Sequence, residues 1–496
     1  MHHDRDAIEL PAGPAVTGRA TESSRISDEI CALDATEQQS AIREGALTAV
    51  RLLEAHLDRI ERINPIVNAI VSIDSESAFA AADRADRAWR YGAELGMLHG
   101  IPLAVKDLMD TAGLRTTYGS PIYAEHVPVR DSLLAERLRG AGGIIFGKTN
   151  VPEFGAGSHT FNAVFGPTRN PWDTARSAGG SSGGAGAALA ARLLAVADGS
   201  DLGGSIRNPA SYANLFGLRP TAGRVASARP GDAYDPASVL GPLARNVGDL
   251  ALLLDAMAGP DPRAPLSLAD ERPFVGTSRI PLDGARIAFT VDLGNLPVDD
   301  AVVAVMGEVR QRLVDAGAVV VDVELPLEGA DFSFEALRSL DFLESYGADV
   351  AAHPSLVKDA VKDDVRWGSE LRVDQILRAR ADRTRLYRGM QELFTRFDLA
   401  VAPTSQLPPF DIELEFPTVI AGAPLERYYE WQRSCSRITA TGMPVLAAPG
   451  GFTSDGLPVG VQFIGPARSE RRLLGFGLSW QDLIADLLLR RPSLAA

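Results

Sequence analysis

Residues 178–221 read AGGSSGGAGAALAARLLAVADGSDLGGSIRNPASYANLFGLRPT. The run places Ser181 and Ser205 each beside paired glycines. Upstream, in HGIPLAVKDLMDTAG, Lys106 closes the apolar stretch 101–105. A serine hydroxyl is a weak nucleophile until a neighbour takes its proton. Lysine can do so once it is neutral, and burial favours the neutral form because desolvation penalises the charged one. A second serine can bridge lysine and nucleophile as a proton relay. A tetrahedral intermediate also needs donors aimed at its oxyanion. The successive N–H groups of Leu202, Gly203, Gly204 and Ser205 offer them, and the glycines let a carbonyl approach closely. One lysine and two serines therefore suit a hydrolase that needs no histidine and no metal.

These stretches resemble the amidase signature family. Its GGSSGG motif is matched at 179–184, and its D-x-GGSIR-x-P motif at 201–209. The spacings from Lys106 to Ser181 and from Ser181 to Ser205 fit as well. Further matches are GKTN at 147–150, PEF at 152–154, FGPTRNPWD at 165–173, TGMPVLAAPGG at 441–451 and GLPVGVQFIG at 456–465. The likeness runs from about residue 33 to about 490. It implies an α/β fold with a large mixed central β-sheet flanked by helices on both faces. It also implies Ser205 as the acylated nucleophile, Ser181 as the bridging serine in a cis-peptide setting, and Lys106 as the general base. The oxyanion hole would be the amides of Leu202, Gly203, Gly204 and Ser205, and Gly155 would contact substrate through its backbone. Leu202 stands where threonine or isoleucine is common, a departure a backbone oxyanion hole tolerates. No cofactor and no metal are implied, and the partner is a small amide substrate; homodimerisation is left open.

Neighbouring residues carry alternative readings. Ser182 could be the relay, although the spacing favours Ser181. Asp201 and Arg207 read as a pair that holds the nucleophile loop, and Lys148 reads as structural. Residues 142–149 (GGIIFGKT) satisfy the P-loop pattern, but that motif is a glycine-rich turn opening a helix. Here Ile144, Ile145 and Phe146 read as a buried strand, and Pro152 opposes a helix immediately after it. Residues 179–183 (GGSSG) satisfy the nucleophile-elbow pattern, which wants an apolar strand before it and a later histidine. The preceding residues are polar and turn-like, and only His353 follows Ser181.

Composition bounds the class. Of 496 residues, 46% are hydrophobic and 23% charged, which permits a large core and excludes global disorder. The net charge of -15 argues against a nucleic-acid partner, since phosphate backbones are bound by basic patches. Cys31 and Cys435 fit no metal spacing and point to a reducing compartment, hence a cytoplasmic location. The first residues lack a signal-peptide apolar run. No stretch of about 20 apolar residues suggests a membrane span.

Along the chain, residues 1–27 read as a loose N-terminal arm and 28–490 as a single domain, with the signature core at about 95–250. Helices are expected at 36–44, 48–63, 78–90, 132–141, 185–194, 247–257 and 300–316. Asn64-Pro65 should stop the second of these. Strands are expected at 103–105, 144–146, 285–290, 319–325, 399–402 and 445–448. Such alternation argues for α/β layering. Residues 259–282 read as a linker excursion. The mainly helical insert 332–440 is where substrate choice is expected, with Phe342, Trp367, Tyr428 and Trp431 as candidate pocket walls. An apolar wall there favours aryl or alkyl amides. The alternative within the resemblance is the glutaminase subunit of a tRNA-dependent amidotransferase. Residues 340–390 show no clear counterpart of that subunit's arginine motif for the glutamine carboxylate.

Overall fold

Strands with apolar residues at every position need cover on both faces, and that requirement organises this fold. In Val445–Phe452, Leu446 and Ala448 join one buried cluster while Val445 and Ala447 face the other side. In Leu399–Pro403 the same alternation sends Leu399 and Val401 one way, and Ala400 and Ala402 the other. A computed structural model describes residues 22–228, 231–270 and 272–494. Its central sheet has 8 strands, in the order Val319–Asp322, Arg286–Phe289, Leu399–Pro403, Pro458–Ile464, Val445–Phe452, Phe216–Arg219, Val239–Ala244 and Val196–Asp201. The first three run parallel and the remaining pairings are antiparallel, so the sheet is mixed, as expected.

One face is covered by the helices Val247–Met257, Asp300–Asp315 and Glu470–Leu483. The other carries Gly183–Ala190 and Arg207–Tyr212, with Ala330–Ala352, Val373–Leu393 and Arg433–Thr441 beyond them. The small side chains on this second face let the short helix Arg207–Tyr212 lie close to the strands, which sets the level of the loop before it. A separate three-stranded sheet, in the order Ile70–Ile73, Ile144–Thr149, Pro102–Lys106, carries Lys106 at its edge.

Several boundaries differ from the sequence reading. The helix Ala49–Val67 runs through Pro65 rather than stopping at Asn64. Proline here removes only one donor in the last turn. Asn64 Oδ1 then accepts the N–H groups of Ala69 and Ile70, both at 2.9 Å, and so ties down the helix end. The helix expected at 185–194 is Gly183–Ala190, closed by Arg192 in the left-handed region. Of the expected arm, residues 1–21 lie outside the described residues, while 22–27 belong to the helix Glu22–Ala32. The P-loop-like stretch forms the strand Ile144–Thr149. The polar residues before Ser181 form one arm of a small hairpin, Arg169–Asn170 with Asp173–Ser177, rather than a turn.

Candidate active site

Lys106 ends its strand fully buried, and its amine meets three hydroxyls. Nζ lies 2.8 Å from Ser181 Oγ, 2.8 Å from Ser182 Oγ and 2.9 Å from Ser200 Oγ. Burial pulls its pKa down to about 7, against the opposing pull of the Asp198 and Asp201 carboxylates. A neutral amine has two N–H groups and one lone pair, so three hydroxyl partners match it: two accept and one donates. The peptide between Gly180 and Ser181 is cis. Both adjacent serines thus reach the lysine, but they differ in what else they meet. Ser181 lines a large cavity, whereas Ser182 is sealed inside and donates its N–H to the Ser205 carbonyl at 3.1 Å. Gly155, with φ +70, sits against Ser181: a Cβ there would lie 2.9 Å from Leu108 Cδ1 and 3.5 Å from Ser181 Oγ.

Ser205 opens onto the same cavity, in the turn before Arg207–Tyr212. Its hydroxyl has no hydrogen bond to protein among the described residues, so Ser181 and Ser205 share the cavity without being bonded to each other. The loop that carries Ser205 is pinned by Asp201. That carboxylate accepts the N–H groups of Gly204 at 3.0 Å, Ile206 at 3.2 Å and Arg207 at 3.4 Å. It pairs with Arg207 at 2.9 Å and Arg219 at 3.2 Å. Burial would push its carboxyl up, but the two guanidinium groups hold it well below the usual carboxylate range. Arg207 also donates to Cys435 O at 3.0 Å, Gln462 Oε1 at 2.9 Å and Thr439 Oγ1 at 2.8 Å. The Asp201–Arg207 pair therefore holds the loop, and neither residue lines the cavity.

This anchoring narrows the expected oxyanion donors. The Gly204 amide is already donated to Asp201. Those of Leu202, Gly203 and Ser205 have no protein acceptor among the described residues. Gly204 itself has φ +122, and a Cβ there would meet Asn208 Nδ2 and Cys435 Cβ, both at 2.7 Å, so the turn requires glycine. Asp201→Asn would leave two buried guanidinium groups short of a counter-charge. It is expected to cost about 3–5 kcal/mol of stability, read as a lowered melting temperature.

The cavity has a volume of about 790 Å³. Ser181, Ser200, Leu202, Gly203 and Ser205 line one end of it. Tyr118, Tyr123, Phe154, Phe342 and Tyr346 form an aromatic wall. Phe154 stacks on Tyr346 at 4.4 Å, and Phe342 meets Tyr346 edge-on at 5.2 Å. Of the four aromatics expected from sequence, only Phe342 reaches the cavity. Trp431 stacks on Tyr212 in a buried cluster, Trp367 lies under Arg427, and Tyr428 donates to Asp364 at 2.6 Å. Sequence reasoning missed the aromatics from the loop after Lys106 and from the PEF motif. Motif adjacency was the available signal: Tyr118 and Tyr123 follow the lysine, and Phe154 precedes Gly155. It also missed Gln432, which lines the cavity and whose Nε2 lies 3.4 Å from where a Gly203 Cβ would be.

Lys148 points away from this cavity, donating to Thr111 Oγ1 at 3.0 Å and to the Met109 carbonyl. Both cysteines are free and buried. Among the described residues, no group of three or more His, Cys, Asp or Glu is arranged to hold a metal ion. None of the described helices is long and apolar enough to cross a membrane.

The Amidase family model matches residues 51–474. An acylamidase of Rhodococcus erythropolis is 34% identical over 447 residues, which is 89% of this chain and 93% of that protein. A glutamyl-tRNA(Gln) amidotransferase subunit of Chloroflexus aurantiacus is 35% identical, over 94% of this chain and 99% of that one. The crystal structure of a bacterial aryl acylamidase of the amidase signature family superposes with a TM-score of 0.86. It is 28% identical and covers 93% of this chain and 99% of that one. The match across most of the chain, on the same mixed sheet, makes this chain a member of the amidase signature family and a hydrolase of amide C–N bonds.

Proposed function

We propose that the chain hydrolyses small, largely apolar carboxamides, anilides or carbamates through a Ser205 acyl-enzyme. One observation carries the proposal: Lys106 Nζ stands 2.8 Å from the hydroxyl of Ser181, which shares an aromatic-walled cavity with Ser205. Neutral Lys106 takes the Ser181 proton as Ser181 takes that of Ser205. The Ser205 oxygen bonds to the substrate carbonyl carbon, and the carbonyl oxygen gains the negative charge. The free amides of Leu202, Gly203 and Ser205 stabilise that charge. The C–N bond then breaks, and the amine leaves with the proton returned through Ser181. Water repeats the sequence on the ester and frees the acid. The Ser181–Ser205 link closes when substrate is bound, a tightening common to catalytic hydrogen bonds.

The aromatic wall suits a flat, apolar amine or acyl group, since ring contacts add to burial. Carboxylates are numerous in the described lining of the cavity, which disfavours anionic substrates. Asp110, Asp131, Asp341, Glu344 and Asp349 line it. The two arginines that line it among the described residues are neutralised: Arg338 pairs with Asp364 at 3.0 Å, and Arg263 pairs with Glu136 and Asp261. The similarity to the amidotransferase protein favours a second reading, a glutaminase that feeds ammonia to a partner. The paired arginines weigh against it, because among the described residues both guanidinium groups that line the cavity are already bound to carboxylates.

The test is intact mass after phenylmethanesulfonyl fluoride, on wild type and Ser205→Ala, beside aniline release from a panel of acyl anilides. A single adduct on wild type only, with aniline released, is the expected result. Ammonia from glutamine, with no anilide turned over, would replace this reading with the second.

A further inference from the structure

We propose that Asp198 is a positioning residue for the base. It clamps the main chain of Lys106 to the strand that carries Ser200 and leads into the Ser205 loop, and it keeps a negative charge behind the lysine amine. The inference rests on the Ser205–Ser181–Lys106 reading above. The strand Pro102–Lys106 is an edge of the small sheet, and Val196–Asp201 is the outermost strand of the large one. These two edges are joined through a side chain. The Lys106 N–H donates to Asp198 Oδ1 at 3.1 Å and Oδ2 at 3.3 Å. Two residues further along the same strand, Ser200 Oγ lies 2.9 Å from Lys106 Nζ. Side chains at i and i+2 share one face of a strand, so one strand grips the lysine at both ends. Asp198 holds its backbone and Ser200 its amine.

A neutral acceptor would serve the N–H equally well, and a buried carboxylate is costly unless paired. Asp198 is only 3% exposed, and no lysine or arginine side-chain nitrogen comes within ion-pair distance of it among the described residues. The cations that face it are Lys106 and Lys148. The other charged group acting on Lys106 is Asp201, already bound to Arg207 and Arg219, while Asp107 faces Lys148. Burial raises the Asp198 carboxyl to about 6, so at neutral pH it is ionised and supports protonation of the lysine beside it. The carboxylate thus fixes both where the amine stands and the pH at which it becomes a base.

The experiment reads the second-order rate of inactivation by phenylmethanesulfonyl fluoride from pH 5 to 9, which needs no knowledge of the substrate. Asp198→Asn keeps an acceptor for the Lys106 N–H and removes the charge. Without the carboxylate the ammonium loses its proton more readily, so the acid limb is expected to move down by about one pH unit, with the plateau rate within about threefold. An Asn profile that superimposes on wild type overturns the proposal. If the Asn variant is not recovered folded, Asp198→Glu is used. It keeps the charge but displaces the clamp, so an unmoved limb with a plateau lowered about tenfold is expected, and an undiminished plateau overturns the proposal. Lys106→Met separates the two levels of argument. If it reacts like wild type, the Ser205–Ser181–Lys106 reading fails; if it is inert while Asp198→Asn is unshifted, only the Asp198 proposal fails.

Discussion

Ser205→Ala is expected to lower amide turnover by about five orders of magnitude or more, the scale seen when a covalent nucleophile is removed from a coupled set of catalytic groups. The fold should be unaffected. The Ser205 hydroxyl makes no hydrogen bond to protein among the described residues, and the loop is held by the Asp201 carboxylate and its arginines. Removing one oxygen that opens onto a cavity leaves no polar group unpaired, so the melting temperature should stay at the wild-type value. Matched kinetics and melting curves check both halves. Retained turnover in Ser205→Ala, with loss in Ser182→Ala, would reverse the serine assignments.

Lys106→Met is expected to cost about three to four orders of magnitude in kcat/KM, the upper range for a general base. Methionine matches the lysine stem in volume, which makes it a better probe than alanine at a fully buried site. The wild-type pH profile reports on the same group. A base must be neutral, and Lys106 is pulled to about 7 by burial. Below that value the ammonium predominates and Ser181 has no acceptor for its proton. Activity should therefore rise through pH 7 and level off on the alkaline side. The curve should be largely insensitive to salt, because a buried charge is poorly screened. A profile flat from pH 5.5 to 9 would remove the lysine from this role.

The loop conformation was legible because it is local. GGSSGG and D-x-GGSIR set backbone conformations within a few residues: glycine is needed at 204 whatever the rest of the chain does. Lys106 was legible because it ends an apolar strand. Long periodic elements, such as the helices Val247–Met257 and Asp300–Asp315, were also readable from their own residues. The strand Val196–Asp201 was not, because Asp198, Ser200 and Asp201 give it the polarity of a loop. Asp198 and Ser200 are satisfied by Lys106, far away in sequence, and Asp201 by Arg219 as well as by Arg207 and the loop that follows it.

By itself, then, the sequence determined the family, the mixed two-faced sheet and the residue types available for catalysis. Tertiary structure alone decided that Lys106 meets three hydroxyls rather than one, and that Asp201 takes the Gly204 amide. It also decided that Tyr346 faces the cavity, and that of Phe342 and Trp431, both expected there, only Phe342 does while Trp431 is packed against Tyr212. The physical reason is range. Glycine turns and apolar periodicity act between neighbours in sequence. Which side chain meets Lys106 depends instead on how two separate sheet edges dock, and no local preference encodes that.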